Sequence, residues 1–268
     1  MDVLYCQGKH QNNRRHIKPP FILGNEFAGV VVESSSSSSF KPGDRVFGGA
    51  LGSYAEYIAV EERLVRKIPR QWTNEQACAV GSSGAIGWGC LVPVGQLKKE
   101  QSVLVTGAAG GLGVMACQIA LALGARVIGL VGGSEKARVV KGLGVETIVS
   151  YNNKGWEQEV LNHTAGEGVD LVFDVVGIVE SSLRCLKYGG SVVIVGYAGR
   201  GGVMETLQLN KILLKGASVK GYVSNSKVSP NLPSPLLHQA IEFEYRSTYQ
   251  YLHETEIWRT WSPCSIGD

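Results

Sequence analysis

The feature that most constrains the fold is a cluster of glycines between a β-branched run and an apolar segment. Residues 103–106 read Val-Leu-Val-Thr, the glycines fall within 107–113, and residues 112–123 repeat apolar side chains at helical spacing before Gly124. This order predicts a strand, a tight turn and a helix that ends at Gly124. Glycines in such a turn let the backbone approach a pyrophosphate, which the N–H groups and positive dipole end of the helix then face. The motif favours a dinucleotide ligand, although glycine-rich turns also serve only to bring a helix close to a sheet.

Strands and helices alternate regularly after this motif. Strands are predicted over residues 126–131, 147–149, 169–174, 191–195 and 218–222, and helices from Ser134, around 156–162 and over 179–186. Such alternation implies parallel pairing through right-handed crossovers. The fold class is therefore α/β with a doubly wound parallel sheet, which is the context that the glycine motif requires.

The chain before the glycine motif has a different pattern, with short strands and turns. Residues 21–33 are predicted as a turn followed by a strand, and further short strands are predicted after the Pro-Gly-Asp turn at 42–44 and over residues 52–60. The serines at 34–39 are predicted as a surface connection. Helical spacing starts at Thr73, but residues 81–89 contain four glycines. Each glycine inside a helix costs about 1 kcal/mol relative to alanine, so a helix there needs support from packing or from a ligand. A small β-rich domain is expected to precede the doubly wound one.

Composition favours a small-molecule ligand. The net charge is +3 and charged residues make up 18% of the chain, so neither a nucleic acid nor a membrane surface is indicated as a partner. The six cysteines show no C-x-x-C spacing and are predicted to be reduced and mostly buried. Because neither a membrane-spanning apolar run nor a signal peptide is predicted, a cytoplasmic location is expected.

The end of the second strand of the sheet indicates which nicotinamide cofactor binds. An acidic residue at this position bonds the ribose 2′-hydroxyl of NAD, whereas its absence near a cation suits a 2′-phosphate. Residues 131–134 contain no carboxylate, while Ser134 and Lys136 supply a hydroxyl and a positive charge. This pattern favours NADPH. The alternative is that Ser134 only caps the helix and that Glu135 bonds the ribose.

Several further motifs, taken together, carry a resemblance to a known family. They lie at residues 20–31, 42–46, 54–57, 108–113 and 174–177. In this order they resemble the zinc-independent quinone oxidoreductase (zeta-crystallin-like) branch of the medium-chain dehydrogenases/reductases, from about Asp2 to Tyr222. The resemblance implies a partial GroES-like catalytic domain over 1–95, a Rossmann NADPH-binding domain over 96–222 and a divergent tail over 223–268. It also implies NADPH in the cleft between the two domains and hydride transfer to a quinone or to the activated C=C bond of an enone.

The resemblance also assigns cofactor-binding residues by position. Those expected to face the pyrophosphate are Ala109, Gly110, Gly111, Leu112 and Gly113. Those expected at the 2′-phosphate end are Ser134, Lys136 and Tyr151. Those expected on the nicotinamide side are Val195, Gly196 and Tyr197. Gly132 and Val176 are expected to bind the cofactor as well.

No metal is expected. Zinc-binding members of the superfamily place a ligand histidine in a Gly-His-Glu motif, whereas this chain has Asn25 between Gly24 and Glu26. Asparagine is a poor zinc ligand compared with histidine or cysteine. Residues 106–113 also fit the glycine motif of the short-chain dehydrogenases. That family requires a downstream Tyr-x-x-x-Lys pair, and the one match here, Tyr5 with Lys9, precedes the motif.

Some positions depart from the family pattern. Ile86 stands where the inter-domain helix of relatives has threonine, and His10 replaces the tyrosine of a Gly-x-Tyr motif. Relatives have an asparagine and several strands before the position of Asp2, and the resemblance ends beyond Tyr222. The substrate half is therefore expected to be incomplete, with Asp2, His10 and Tyr54 as the candidate acids near the cleft, each of which can also be structural.

Two other functions stay open beside a reductase. One is a catalytically impaired NADPH-binding relative. The other is nucleic-acid binding, for which the only indication is the basic stretch at residues 9–18. Relatives dimerise through the edge strand of the Rossmann sheet, here 218–222, so the resemblance implies a homodimer.

Overall fold

The computed structural model describes residues 2–8, 19–197, 199 and 205–223, which form two sheets with helices around the larger one. The smaller sheet is antiparallel, in the order β1-β2-β3, and consists of β1 (Phe27–Val30), β2 (Arg45–Gly48) and β3 (Val65–Lys67). The strands of the larger sheet are β4 (Ser102–Thr106), β5 (Arg126–Val131), β6 (Thr147–Ser150), β7 (Val169–Asp174), β8 (Leu186–Ile194) and β9 (Ser218–Gly221). The helices are α1 (Asp2–Cys6), a 3₁₀ turn at Glu62–Leu64, α2 (Asn74–Gly89), α3 (Gly111–Ala122), α4 (Ser134–Gly142), α5 (Trp156–Asn162), α6 (Val179–Cys185) and α7 (Leu209–Lys215).

The larger sheet has the strand order of a dinucleotide-binding domain. Its strands lie in the order β6-β5-β4-β7-β8-β9, and all the pairs are parallel. Counted along the chain this order is 3-2-1-4-5-6, which reverses between β4 and β7. The predicted α/β fold with a doubly wound sheet is confirmed. The reversal point matters because ligands of such sheets bind beyond the carboxyl ends of the strands on either side of it.

Strand β4 lies at the centre of this sheet and is buried along its whole length. All five of its residues are buried, as expected for a strand that has neighbours on both sides and helices on both faces. Val103 and Val105 pack with residues of α3 in one core cluster, while Leu104 packs in a second cluster with residues such as Val160 and Val172. The alternation of the strand therefore sends its side chains into two separate cores.

The glycine-rich stretch before β4 is helical, which resolves the doubt about residues 81–89. Helix α2 starts with a capping box between Thr73 and Gln76 and continues through Gly89 into a π-helical turn at Cys90–Val94. A Cβ atom on Gly87 would lie 2.9 Å from Cδ1 of Ile119, and one on Gly89 would overlap the Tyr222 ring. Close packing therefore supports the helix, and its glycines make that packing possible.

The expectation that no apolar run is long enough to span a membrane needs a correction, because the helical segment Asn74–Val94 has that length. By length and composition alone this helix passes the test, within the part of the chain that the structure describes. A core helix of a soluble protein passes it as well, and 44% of the apolar window is buried here. Its residues Ala77 and Val80 pack in a core cluster with Phe47 of β2.

The β-rich part of the prediction is only partly right. Strands form at 27–30 and 45–48, but residues 52–60 form no strand. The backbone N–H groups of Gly52 and Tyr54 donate instead to the carbonyls of Gly24 and Leu23, at 3.0 and 2.9 Å. These bonds fold the start of the segment onto a turn rather than into a ladder. Strand β3 and helix α7 were not predicted, and residues 2–6 are helical.

The described cysteines are free thiols. Cys90, Cys117 and Cys185 are buried, and burial raises the pKa of each to about 12, which disfavours the thiolate at neutral pH. Cys78 is half-buried and Cys6 is exposed. Three of these five cysteines are buried, as predicted, and Cys264 lies outside the described residues.

Candidate dinucleotide site

The glycine turn between β4 and α3 leaves the N-terminus of α3 open. Gly107 has a φ of +60°, and the N–H of Gly110 donates to its carbonyl at 2.9 Å, which closes the turn. Helix α3 begins at Gly111 with Gly110 as its N-cap, and no side chain caps it. Gly110 and Gly111 are exposed, and a Cβ atom on Gly111 would meet nothing within 4 Å. The first N–H groups of the helix are therefore available to an anion, which is the requirement for binding a pyrophosphate.

The five residues predicted at the pyrophosphate do not have equivalent environments. Gly110 and Gly111 form the open surface, and Ala109 and Leu112 are half-buried against the core of the sheet. Gly113 is buried, and a Cβ atom there would lie 2.7 Å from Cα of Ala108. It has the role of the third glycine in such motifs, which is to let the helix pack closely against the strand.

The residues predicted for the 2′-phosphate end lie around the end of β5. The ring of Tyr151 lies against Gly132, since a Cβ atom on Gly132 would be 2.8 Å from its Cζ. The Asn152 side chain, which sequence reasoning missed, donates to the Gly132 carbonyl at 3.2 Å and ties the two loops together. Ser134 and Lys136 are exposed in the first turn of α4.

The structure also bears on the alternative interpretation, in which Ser134 only caps helix α4 and Glu135 bonds the ribose. Gly133, with a φ of +143°, is the N-cap of α4, so Ser134 is the first helical residue and does not cap the helix. Its hydroxyl lies at the surface beside the turn. Glu135 is exposed in the same first turn.

The residues predicted on the nicotinamide side meet beyond the ends of β7 and β8. The N–H groups of Val195 and Gly196 donate to the main-chain carbonyl of Asp174, at 2.8 and 3.3 Å. Gly177 has a φ of +85°, and a Cβ atom there would lie 2.8 Å from Cδ1 of Tyr197. Val176 lies in the same loop, so the four predicted residues come together.

Asp174 organises this end of the site, a role that sequence reasoning did not assign. It is fully buried, and its carboxylate accepts hydrogen bonds from the Thr106 hydroxyl and from the N–H groups of Val176, Gly177 and Ile178. Burial raises the pKa of the Asp174 carboxyl, while these hydrogen bonds lower it in part. The signal in the sequence was a polar residue at the carboxyl end of each of two neighbouring apolar strands.

Two of the three candidate acids lie together near the smaller sheet. Oδ1 of Asp2 accepts from the Asn25 side chain at 2.9 Å and from the Gly24 N–H at 3.3 Å. Burial and the negative charge of Asp2, which hydrogen-bonds with the tyrosine hydroxyl, raise the pKa of Tyr54. His10 lies outside the described residues. Asp2 is therefore held by three neighbours, which is the pattern of a structural contact.

Glu26 connects this cluster to α2. Its Oε1 accepts from the N–H groups of Ser82 and Ser83, at 3.0 and 3.1 Å, in the middle of the helix. Burial raises the pKa of Glu26, and these hydrogen bonds lower it in part. Across the residues that the structure describes, no group of three or more histidine, cysteine, aspartate or glutamate side chains is arranged to hold a metal ion.

A separate groove of about 1050 Å³ runs along β1 and residues 55–60. It is lined by apolar residues such as Val30 and Ile58 and by Glu26, Glu33 and Glu56. None of the predicted cofactor residues lines it, so it is not part of the dinucleotide site.

A parallel sheet in this strand order, with an open glycine turn at the reversal point, defines a Rossmann dinucleotide-binding domain. Comparison with protein families agrees with this class. Residues 1–70 match the alcohol dehydrogenase GroES-like domain, and residues 111–240 match the zinc-binding dehydrogenase family.

Individual relatives identify the branch. The chain is 32% identical to the quinone oxidoreductase-like protein 2 homolog of Nematostella vectensis over 252 residues, which cover 90% of this chain and 67% of the relative. It is 32% identical to human quinone oxidoreductase over 185 residues, 67% of this chain but only 56% of that protein. A mycobacterial protein solved in complex with NADPH superposes with a TM-score of 0.75 at 26% identity, over 96% of this chain and 77% of that one. The protein belongs to the quinone oxidoreductase-like branch of the medium-chain dehydrogenases/reductases, as its motifs predicted.

Proposed function

We propose that this protein is an NADPH-dependent oxidoreductase that transfers hydride, without zinc, to a quinone or to the activated C=C bond of an enone. The observation that carries the proposal is the open N-terminus of α3 above the glycine turn, at the reversal point of the sheet. Family membership supports the reaction class, because relatives are named quinone oxidoreductase or quinone oxidoreductase-like protein. The mycobacterial neighbour in complex with NADPH supports the cofactor.

The preference for NADPH depends on the end of β5. No carboxylate lies between Val131 and Ser134, and the first exposed side chains beyond it are Ser134, Glu135 and Lys136. The Lys136 ammonium, the Ser134 hydroxyl and the N-terminus of α4 would together hold a 2′-phosphate. Tyr151, packed on Gly132, would form the wall beside the adenosine.

Bound NADPH would supply the hydride, and the protein would supply the geometry. Hydride transfer to a quinone requires chiefly that the two reacting carbons be close and aligned. The loops at 175–177 and 195–197 would position the nicotinamide. Zinc is not needed for this chemistry, and the side chain of Asn25, at the position of the zinc-ligand histidine in relatives, donates to Asp2.

A second candidate is an NADPH-binding relative with impaired catalysis. It is favoured by the contacts of Asp2, whose carboxylate is bonded by Asn25, Gly24 and Tyr54 rather than left available to a substrate. This protein would bind the cofactor and transfer no hydride.

The proposal extends to assembly and location. Strand β9 is an edge strand of the larger sheet as described, and α7 beside it exposes Leu209, Leu213 and Leu214. Apolar side chains next to an open edge suit a homodimer. Free, buried thiols agree with a cytosolic protein.

The test compares NADPH and NADH binding by calorimetry, followed by turnover with a panel of quinones and enones. We expect Gly111→Asp to abolish NADPH binding, because a carboxylate would occupy the open helix terminus and repel the pyrophosphate. Gly29→Asp, in β1 and outside the dinucleotide site, is the matched control and should keep binding, since a Cβ atom there also meets open space. Binding without turnover would favour the second candidate, and no binding of either nucleotide by the unmodified protein would reject both.

A further inference from the structure

Asp174 connects three separate segments at the carboxyl edge of the sheet. Its carboxylate accepts from the Thr106 hydroxyl at 2.7 Å, and from the N–H groups of Val176, Gly177 and Ile178 at 3.0, 3.1 and 2.9 Å. The same hydroxyl of Thr106 accepts from the N–H of Val175 at 3.0 Å. The loop after β7 is thus fixed to the last residue of β4, which directly precedes the glycine turn.

The third segment is the one after β8. It is held by the main-chain carbonyl of Asp174, which accepts from Val195 and Gly196. Gly177, held by the Asp174 carboxylate, in turn contacts Tyr197. A single residue therefore links the last residue of β4 to both segments that are expected to border the nicotinamide.

A comparison with the opposite edge separates this arrangement from ordinary strand pairing. At the amino ends of the same two strands, Ser102 donates to Asp170 at 2.9 Å, which also joins β4 to β7. Asp170 bonds Gln101 and Lys187 besides Ser102, and holds no loop at the carboxyl edge. The two strands are thus already paired at their other end, and the bonds of Asp174 to three successive loop N–H groups add positioning beyond that pairing.

We infer that Asp174, together with Thr106, is a positioning residue for the nicotinamide half of the cofactor. The inference rests on the proposed function and adds to it a residue that does not touch the cofactor but fixes the backbone that does. The adenosine half is positioned elsewhere, by the end of β5 and residues 151–152. Loss of the Asp174 contacts should therefore weaken one half of the site and leave the other unchanged.

The experiment measures two ligands on the full chain. NADPH reports on the whole site, whereas adenosine 2′,5′-bisphosphate reports on the adenosine end and the glycine turn and lacks the nicotinamide half. We expect Asp174→Asn to weaken NADPH binding by roughly tenfold or more, the effect of losing a hydrogen bond to a charged group, and to leave the affinity for the bisphosphate unchanged. Asp170→Asn, on the same strand, is the matched control and should change neither affinity.

A milder pair of variants covers the case in which Asp174→Asn does not fold. Thr106→Val removes the hydroxyl and keeps the shape, and it should shift the NADPH affinity in the same direction, whereas Thr106→Ser should restore it. Equal weakening of both ligands, or of neither, in variants that fold would overturn the inference. Failure of the unmodified protein to bind either ligand would instead reject the proposed function, so the two failures are distinguishable.

Discussion

The two ends of strands β4 and β7 carry the same pair of side-chain types in different surroundings. At the amino edge, Ser102 is buried, and the Asp170 carboxylate pairs with the ammonium of Lys187, whose side chain is 40% exposed. At the carboxyl edge, Thr106 and Asp174 are fully buried, and neutral donors surround the carboxylate. The first arrangement stabilises the sheet through a charge pair, whereas the second uses an acid to organise loops. At the carboxyl edge, which holds the candidate site, the carboxylate therefore acts as a hydrogen-bond acceptor rather than as half of an ion pair.

The largest expected effect separates the two aspartates by stability. Asp174→Asn should lower the free energy of unfolding by about 3 kcal/mol, because an amide NH₂ would face buried N–H donors that lose their acceptor. Asp170→Asn should cost about 1 kcal/mol, because its site is half-buried and water can replace the lost contacts. Urea unfolding of both variants measures the difference, and equal losses would remove the contrast between the two edges.

A smaller effect is expected from the cation at the amino edge. Lys187→Met should lower the free energy of unfolding by about 0.5 kcal/mol, a small value because the lysine side chain is 40% exposed and its attraction to Asp170 is screened. The loss should shrink further at high salt. Unfolding in low and in 1 M salt checks this, and a loss that salt does not change would mean that packing, not charge, holds Lys187.

The smallest effect is a pH dependence at the amino edge. Burial alone would raise the pKa of Asp170, but Lys187 and the hydrogen bonds from Ser102 hold it below its usual range. A lowered pKa in the folded state contributes stability that is complete above the unfolded value of about 3.9 and is lost as the pH falls through the folded value. The stability difference between the unmodified protein and Asp170→Asn should therefore be constant near neutral pH and decrease below about pH 4. A difference that grows on acidification would contradict the assigned direction.

The doubly wound sheet was the most predictable part of the molecule. Its strands are runs of valine, isoleucine and leucine with helical segments between them. Such runs are typical of parallel strands that are buried on both faces. Strand 126–131 and helix 156–162 have the predicted bounds for this reason. Local pattern and global fold agree there, which is when sequence reasoning works.

The small sheet and the glycine-rich helix were harder because their structure depends on distant contacts. Residues 52–60 alternate like a strand, but Gly24 and Leu23, about thirty positions earlier, take the first backbone hydrogen bonds. The glycines of α2 are unfavourable for a helix by propensity alone. The close contacts of Gly87 with Ile119 and of Gly89 with Tyr222, which require glycine, are visible only in the structure. Helix α7 exposes its leucines, so the expectation of a buried apolar face gave no signal.

In the candidate site, too, some features follow from local sequence and others depend on distant contacts. The glycine turn and the segment 132–136 after β5 were predicted from local motifs, and residues 195–197 from the family resemblance. Asp174 was visible in its motif, but its contacts with Thr106, Val195 and Gly196 depend on three strands that meet only in the fold. Asn152 was missed because an asparagine after a strand usually indicates only a turn.

The N-cap of α3 has one more consequence. A serine, threonine or aspartate at Gly110 would satisfy a free N–H and stabilise the helix by about 1 kcal/mol, but it would also cover the groups that an anion needs. The first N–H groups of α3 therefore stay open to solvent, where the proposed NADPH would bond them. Binding to the folded state alone would make the protein more resistant to unfolding and proteolysis as the NADPH concentration rises.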